Sequence, residues 1–532
     1  MLDLVLKNGK IVNGTGNPWF YGDIGIKGSE IVEIVRISET AAEILDVNKK
    51  VICPGFIDVH SHLDIVLFDN PLGEIKLRQG VTTEIYGNCG FSPAPMSLEN
   101  RKLFEDYSKP ILGELKETRS WTKFGDYMEA LRQLGPSHNI SCLVGNGALR
   151  VAVKGFINGA VSSFEMKRIK ELLAEGMEAG ALGLSLGLMY IPENYYSTEE
   201  LADICSMISD YNGIVAVHMR GEGSNLIDSI SEIVYLAQMT NAKFHISHFK
   251  AAGSSNWGRT LERGMEILEK ARKDGLDITC DVYPYNAGST TMMSLLPPWA
   301  VEGGVEKTLE RIADAKSRNR IERELNNECS DWDNMVFTTG WDRVMISWID
   351  GEDENNLIGK SVGAVAGERG QTGARCALDL LYEYKGNIRI VFFHMSEVDV
   401  EKVITWDKSF IASDSIYSSM GNPHPRLYGT FPRVIARYVN DRGVLGLEEA
   451  IRKMTSYPAQ RFGLKKRGLL LPGFIADIVV FDERRINDTA TYSNPRNYPE
   501  GINMVLVGGK KTIVDGVHTG LRNGSFIERM PA

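Results

Sequence analysis

The sequence lacks the features that direct a protein to a membrane, to nucleic acid or to an oxidising compartment. No apolar run is long enough to span a bilayer. The formal net charge is -10 and lysine and arginine form no block, which argues against nucleic acid or an anionic membrane as the main partner. The seven cysteines are scattered, odd in number and without a C-x-x-C pair, so no disulfide framework is expected. We therefore expect a cytoplasmic protein that binds neither nucleic acid nor membrane.

The length and the two ends of the chain indicate a multidomain globular protein. With 532 residues and 43% hydrophobic residues, the chain can form two or three domains with a large core. The N-terminal sequence is predicted to form short strands rather than a signal peptide, with turns at Asn-Gly and Gly-Ser, in "LVLKNGKIV" and "DIGIKGSEIVEIV". The C-terminal sequence returns to the same pattern in "ADIVVFD" and "INMVLVGGKKTIVDG". These segments predict one small β-sandwich built from both termini.

The middle of the chain alternates between predicted strands and helices. Two helices are predicted to begin at capping boxes, Ser162 with Glu165 and Ser197 with Glu200. The alternation predicts a parallel barrel or a doubly wound sheet. Charged helical segments interrupt it at about 290–345 and indicate an inserted subdomain. Nine segments are candidate strands, one more than an eight-stranded barrel needs: GFIDVH, TTEIYG, ISCLVG, ALGLSLG, IVAVH, KFHIS, LDITCDVY, IRIVFF and FIAS.

Groups that can bind a metal ion stand where several of these predicted strands end. The segment "PGFIDVHSHLD" places two histidines two residues apart, and residues with that spacing on a strand point to the same side. In a parallel barrel, the carboxyl ends of the strands meet at one mouth. The sequence therefore predicts that six groups converge there: His60, His62, Cys89, His218, His248 and Asp414.

Imidazole and thiolate are good ligands for zinc-like divalent ions, so these groups predict a site for one or two metal ions. A bound ion would lower the pKa of water toward neutrality. A carboxylate beside it, such as Asp414, could accept a proton and return it. Each group taken singly is more often structural; their shared position at strand ends supports the metal site.

The motifs around these residues resemble a known family over nearly the whole chain. After "PGFIDVHSHLD" follow, in order, "GVTTEIYGNCGFSPAP", "HMRGEG", "HISHFK", "DVYPYNAGST", "HMSEVDV", "IASDS", "PHPRLYGTFPRV", "MTSYPAQRFGL" and "GLLLPGFIADIVVFD". The sequence thereby resembles the N-acyl-D-amino-acid deacylase (D-aminoacylase) family of the amidohydrolase superfamily. The resemblance implies an α/β fold: a (β/α)8 TIM-like barrel over 55–464, with the insertion at about 290–345, and a β-sandwich domain from 1–54 and 465–532.

The resemblance also implies a role for each site residue. Cys89, His218 and His248 would hold one tightly bound Zn²⁺, and His60, His62 and Asp414 a second, weaker divalent metal position. Asp414 would also be the catalytic base and acid, and Tyr190 would donate to the oxyanion. The α-carboxylate of the substrate would bind Lys250, Tyr283 and Arg426. The predicted fourth strand, "ALGLSLGLMY", lacks the bridging lysine of many amidohydrolases, so Cys89 would take that place. Asn146 stands where relatives often carry histidine.

The implied reaction is metal-dependent hydrolysis of an N-acyl-D-amino acid, a small-molecule substrate, to a carboxylate and a free D-amino acid. The segment "TMMSLLPPWA", which follows "DVYPYNAGST", carries no arginine or lysine. This favours a neutral, apolar side chain on the substrate. Two alternatives stay open: a cyclic amidase of the dihydroorotase or hydantoinase type, and a non-enzymatic scaffold with the same fold. The sequence also leaves open whether the chain forms a homo-oligomer.

Overall fold

The core of the molecule is a closed parallel β-barrel. The computed structural model describes residues 1–114, 116, 121–329, 331–353 and 356–529. Each barrel strand pairs in parallel with the next, and the last pairs with the first through Ser415 and Ser61, which closes the barrel. The strands are, in order, Phe56–Asp58 continued by Ser61–His62, Val81–Tyr86, Asn139–Cys142 continued by Val144–Gly145, Gly183–Gly187, Ile214–His218, Lys243–Ile246, Ile278–Val282, and Ser409–Ile411 continued by Ser415–Ile416.

Helices follow most barrel strands and pack on the outside of the barrel. The predicted capping boxes are confirmed, because Ser162 and Ser197 each cap a helix and pair with the glutamate three residues later. The α-helices that follow barrel strands are Glu74–Leu77, Arg101–Leu112, Phe124–Leu134, Asn146–Lys154, Ser163–Glu178, Thr198–Asp210, Leu226–Thr240, Arg259–Lys273, Glu397–Thr405, Arg426–Arg433, Leu447–Met454 and Ser456–Arg461, with a π-helix at Val434–Asp441. Short 3-10 helices lie at Val66–Phe68 and Glu193–Tyr195.

One of the nine candidate strands does not belong to the barrel. Ile388–Phe392, in "IRIVFF", pairs antiparallel with Gly288–Thr291 and with Val344–Ile349 in a separate three-stranded sheet. An apolar run predicts a buried strand but carries no information about which sheet that strand will join. The remaining eight candidates form the barrel.

The excursion between the seventh and eighth barrel strands is longer than the predicted 290–345. Its sheet begins at Gly288 and ends at Phe392. The sequence predicts a shorter insertion because its apolar pattern places the strand Ile388–Phe392 in the barrel. Its helices are Pro298–Val301, Val305–Ala313, Ala315–Leu325, Met335–Thr339, Val362–Glu368 and Gly373–Glu383, with 3-10 helices at Met292–Leu295 and Trp341–Arg343. This excursion packs on the mouth of the barrel.

Both ends of the chain join one nine-stranded sheet. Its central pairing is antiparallel, between Val51–Pro54 and Ile478–Phe481. Apolar side chains from both ends, among them Leu6, Ile52 and Leu506, share one buried cluster, so the sheet curls around its own core. Its strands are Leu2–Ile11, Phe20–Lys27, Glu30–Val35, Ala41–Asp46, Val51–Pro54, Ile478–Phe481, Ile502–Val507, Lys510–Val514 and Val517–His518.

We propose to keep the predicted division into a terminal β domain, 1–54 with 465–532, and a barrel domain, 55–464. The sheet pairings within the two ends and within the barrel support it. Within the described ranges, no helix combines the length and apolar character needed to cross a bilayer.

Candidate metal centre and substrate cavity

The mouth of the barrel brings the six predicted groups together. The Cys89 sulfur lies 3.2 Å from His60 Nε2 and 3.7 Å from His248 Nε2. Asp414 Oδ1 lies 3.4 Å from Nε2 of both His60 and His62. The His218 ring is centred 4.4 Å from that of His248. The spatial convergence that the strand ends predicted is therefore present.

Unusual backbone conformations aim three of these groups into the mouth. Cys89, His248 and Asp414 have positive φ angles of 53°, 39° and 50°, a region that residues other than glycine seldom adopt. Such conformations persist where surrounding contacts over-determine them, and they are typical of functional sites. Gly187, at the end of the fourth strand, makes room for one of them, because a Cβ there would lie 2.0 Å from the Cys89 carbonyl oxygen. The fourth strand thus supplies space for Cys89 rather than a lysine.

The donor atoms fit a divalent metal ion of the zinc type. Buried ring nitrogens of His62 and His218 have no hydrogen-bond partner among the described residues. Three groups have ligand atoms within 4.8 Å of one another: His60 with Cys89 and His248, His60 with His62 and Asp414, and His218 with Glu222 and His248. Nitrogen and sulfur donors at such spacing suit zinc. The predicted weaker set thus forms one group, whereas the predicted tight set is divided between two groups that share His248.

The electrostatics of the mouth favour a thiolate at Cys89. Burial opposes ionisation, but the neighbouring His60, together with His218 and His248, holds the pKa of the Cys89 thiol well below its usual range. A thiolate is the form in which cysteine binds metal. Asp414 is also held ionised: burial would raise its pKa, and Arg426 and His60 lower it well below the usual range.

Arg426, which the resemblance assigns to the substrate's α-carboxylate, is paired with Asp414 in this structure. Its guanidinium is fully buried, with Nη1 2.8 Å from Asp414 Oδ2, and it does not line the cavity in the described part of the chain. It also stacks 4.6 Å from the centre of the Tyr283 ring. Arg426 therefore contacts the carboxylate of Asp414 directly, and its contact with a substrate carboxylate stays a prediction.

Two carboxylates that the sequence did not single out hold the histidines in place. Glu222 Oε1 accepts a hydrogen bond from Lys250 Nζ at 2.6 Å and lies 2.9 Å from His248 Nδ1. Asp281 Oδ1 accepts from the His248 backbone N–H at 2.7 Å, and its Oδ2 lies 3.6 Å from His60 Nδ1. Carboxylates that receive the second ring N–H of a metal-binding histidine fix its orientation and tautomer. The "HMRGEG" motif contained Glu222, but its role becomes visible only in three dimensions.

The excursion also reaches the loop that carries Glu222. The carboxylate of Asp333 accepts hydrogen bonds from the backbone N–H groups of Glu222, Gly223 and Ser224, at 2.8, 2.6 and 3.0 Å. A Cβ on Gly223 would lie 2.7 Å from Asp333 Oδ1, so glycine permits this approach. Met335, two residues further along, lines the cavity.

A narrow cavity opens beside the metal-binding groups. Lys250 and Tyr283 line it, and so does Tyr190, whose hydroxyl lies 3.0 Å from Thr290 Oγ1. Burial raises the pKa of Tyr190 well above its usual range, so its hydroxyl keeps its proton and can donate it in a hydrogen bond. The rest of the wall is mainly apolar: Phe91, Ile111, Met189, Met335, Phe392 and Ile416.

Three further buried histidines have distinct positions. His394 lines the cavity, and its ring nitrogens have no partner among the described residues. His138 is buried away from the mouth and pairs with Glu84 at 2.8 Å. His245 lies 2.8 Å from Asp281 and orients that carboxylate. Asn146 donates to the buried Glu193 at 2.8 Å, so it supports the wall beneath Cys89 and not the metal centre.

Comparisons with known proteins agree with this geometry. A model described as "Amidohydrolase family" matches residues 407–513. The D-aminoacylase of Alcaligenes xylosoxydans xylosoxydans is 33% identical over 531 residues, which cover 100% of this chain and 98% of that protein. The chain belongs to the D-aminoacylase family. Like other amidohydrolases it combines a TIM-type barrel with a further domain.

Two solved structures extend the likeness to three dimensions. A D-aminoacylase with a binuclear metal centre, described as activated by one metal and attenuated by a second, has a TM-score of 0.83 and 31% identity over 99% of this chain and 100% of that one. The N-acyl-D-glutamate deacylase of Bordetella bronchiseptica, solved with zinc and a phosphonate mimic of its tetrahedral intermediate, has a TM-score of 0.83 and 28% identity over 99% of both chains. The present member thus shares the whole architecture of the D-aminoacylase family.

Proposed function

We propose that the protein is a zinc-dependent N-acyl-D-amino-acid deacylase, which hydrolyses its substrate to a carboxylate and a free D-amino acid. The observation that carries the proposal is the convergence of Cys89, four histidines and Asp414 beside a cavity that Lys250 and Tyr283 also line. The relatives named above act on N-acyl-D-amino acids or carry metal at their centre. We propose Cys89, His218 and His248 as ligands of the tight metal ion, and His60, His62 and Asp414 as the weaker position.

The residues of the chain divide the chemical work. A bound divalent ion supplies water of lowered pKa and polarises the amide carbonyl. Asp414, ionised and at the edge of the cavity, accepts a proton from the attacking water and passes it to the leaving nitrogen. Tyr190 donates a hydrogen bond to the developing oxyanion; removing one such donor typically costs about 10²–10³-fold in kcat.

We propose that Lys250 and Tyr283 bind the α-carboxylate of the substrate. Both line the cavity, and anchoring the carboxylate there fixes the amide against the metal-binding groups. Arg426 would act mainly by holding Asp414, to which it is ion-paired at 2.8 Å. Its contact with the substrate carboxylate is also proposed. The KM of an Arg426 variant distinguishes the two roles, because only loss of a substrate contact raises KM.

The side chain of the preferred substrate is proposed to be neutral and apolar. Six apolar residues line the cavity, and its described lining contains one cationic side chain from lysine or arginine, Lys250. Glu222 accepts a hydrogen bond from Lys250 at 2.6 Å, so no further lysine or arginine of the described lining is left to pair with a second carboxylate on the substrate. N-Acetyl derivatives of D-leucine, D-methionine or D-phenylalanine are therefore better expected substrates than those of D-glutamate or D-aspartate.

The test is a hydrolysis screen of the purified protein with and without added Zn²⁺. The panel contains matched N-acetyl-D- and N-acetyl-L-amino acids, together with a hydantoin and dihydroorotate for the cyclic-amidase alternative. We expect Zn²⁺-stimulated release of D-amino acids, and Asp414→Asn should abolish turnover while the tight metal is retained. Ring opening without deacylation would support the alternative, and a folded, metal-free, inactive protein would support a scaffold.

The cellular location and the partners of the enzyme are also proposals. We propose a cytoplasmic enzyme, because all seven cysteines are described and none forms a disulfide. Its partner is proposed to be the small-molecule substrate, with neither nucleic acid nor membrane involved. Analytical ultracentrifugation would establish whether it is a homo-oligomer.

A further inference from the structure

A cluster of charged groups lies buried in the barrel beside the metal-binding residues. Lys76 comes from the short helix after the first strand, and its side chain is fully buried. Its Nζ donates to Asp58 Oδ2 at 2.6 Å and to Ser413 Oγ at 2.8 Å, and lies 3.4 Å from Glu84 Oε1. A buried charge is costly unless it is paired and hydrogen-bonded, so such a cluster needs a compensating function or structural gain.

The cluster joins the first and last barrel strands at the positions that present His60 and Asp414. Asp58 Oδ1 accepts from the Ser413 backbone N–H at 2.9 Å and from the His60 backbone N–H at 3.3 Å. The Ser413 hydroxyl donates to Asp58 Oδ2 at 2.5 Å. The Asp414 N–H donates to the His60 carbonyl at 2.8 Å. Asp58 and Ser413 therefore fix the backbone on both sides of the 3.4 Å approach between His60 Nε2 and Asp414 Oδ1.

The contacts made by Lys76 also explain how a strained aspartate stays in place. Asp414 has a φ of 50°, a strained conformation that persists only where neighbouring contacts over-determine it. Its neighbour Ser413 is bound on three sides, by Lys76, Asp58 and the Ser415 N–H at 3.2 Å. Without the ammonium, Ser413 would lose one of these contacts and Asp58 would be a buried carboxylate without its cation.

Glu84 connects the same cation to the second strand. Burial would raise the pKa of Glu84, but Lys76 and the His138 ring lower it to about 2, so the carboxylate is ionised. Lys76 thus faces carboxylates from the first and second strands and a hydroxyl from the eighth. These strands are adjacent in the barrel and surround the predicted weaker metal position.

We propose that Lys76 is a positioning residue for catalysis, which sets the spacing of His60 and Asp414 through Asp58 and Ser413. This inference rests on the proposed function for its kinetic part; its metal-binding part stands without a substrate. None of the polar partners of Lys76 in the described structure lines the cavity, so Lys76 acts through the backbone of the two strand ends.

The first test is Lys76→Met, which keeps the length of the side chain and removes its charge. We expect kcat on an N-acetyl-D-amino acid to fall about 10–100-fold, the range typical for residues that orient metal-binding groups. KM should change little, since Lys250 and Tyr283 are untouched. Zinc titration followed by elemental analysis should show the tight ion retained and the affinity for a second ion reduced about 10–100-fold.

Lys453→Met is the matched control. Lys453 is equally buried and also holds the last barrel strand, through the Ser409 carbonyl at 2.7 Å, but at the opposite end of that strand from Asp414. We expect a lower melting temperature with unchanged kcat per folded molecule and unchanged zinc binding. If Lys76→Met does not fold, Ser413→Ala tests the same connection, with kcat reduced about 10–100-fold for the loss of hydrogen bonds to charged groups.

The outcomes separate the alternatives. A folded Lys76→Met variant with normal kcat and normal second-ion affinity would overturn the proposal. Losses that match those of Lys453→Met would show that Lys76 contributes to stability and nothing more. If the wild-type protein hydrolyses no N-acyl-D-amino acid, the proposed function fails, and the zinc titration still decides whether Lys76 shapes the metal centre.

Discussion

The carboxylate of Glu222 offers a direct test of how the metal centre is organised. Glu222→Gln keeps the shape of the side chain and removes its charge. In the structure one oxygen receives Lys250 at 2.6 Å and lies 2.9 Å from His248 Nδ1. Hydrogen bonds to charged groups contribute about 1.5–3 kcal/mol, against about 0.5–1.5 kcal/mol for neutral pairs. The bond to His248 should therefore weaken by about 1–1.5 kcal/mol, which is about tenfold in an equilibrium constant.

The loss of charge in Glu222→Gln also lowers zinc affinity in a second way. Glu222 offsets the ammonium of Lys250, so in the variant a cation stands uncompensated 2.8 Å from His248 Nδ1. Repulsion between this cation and a bound metal ion adds to the weaker orientation of His248. We expect zinc affinity to fall by about 10–100-fold in total, in the range found for groups of this kind. Competition with a fluorescent zinc chelator measures it directly.

Glu232→Gln provides the comparison. Glu232 lies in the helix that follows the same loop and loses the same charge, but it pairs with Arg220 at 2.9 Å and does not line the cavity. Its zinc affinity should equal that of the wild type. Equal zinc affinities for Glu222→Gln, Glu232→Gln and wild type would refute the claim that Glu222 orients a metal-binding histidine.

Further predictions concern the cavity and the metal. Arg426→Lys should lower kcat with KM unchanged, because the single ammonium of lysine holds Asp414 less firmly than a guanidinium; steady-state kinetics would instead show a raised KM if Arg426 bound the substrate carboxylate. Asp333→Ala should raise KM about tenfold, which corresponds to one charge-assisted hydrogen bond, because the substitution frees the loop that carries Glu222. Unchanged KM and unchanged protease resistance of that loop would contradict this. Dialysis against a strong chelator should abolish activity and Zn²⁺ should restore it, whereas Mg²⁺, which prefers oxygen ligands, should not.

Much of the barrel and its mouth could be predicted because both follow from local patterns. An apolar run that ends in histidine shows in the sequence where a strand ends. Because the strands of the barrel are parallel, all of these ends then lie at one mouth. The capping boxes at Ser162 and Ser197 marked helix starts for the same reason, since capping is decided within four residues. These features depend on short stretches of sequence and a topology that few arrangements satisfy.

The features that escaped prediction depend on contacts between distant segments. Glu222 and Asp281 are ordinary carboxylates in sequence, and only their approach to His248 gives them a role. The strand Ile388–Phe392 has the same apolar character as a barrel strand, although it pairs with Val344–Ile349 outside the barrel. In both cases the sequence shows the type of residue or segment, but it does not show which distant part of the chain that residue or segment contacts.

The pairing of Val51–Pro54 with Ile478–Phe481 has a consequence for biosynthesis. The first strands of the terminal sheet leave the ribosome before the barrel, yet their partners are made after it. At ~5–20 residues/s, this interval lasts on the order of tens of seconds. During that time an apolar strand edge has no partner, and unpaired edges of this kind promote association between chains. Holdase chaperones that cover nascent N-terminal strands should therefore improve the yield of folded protein.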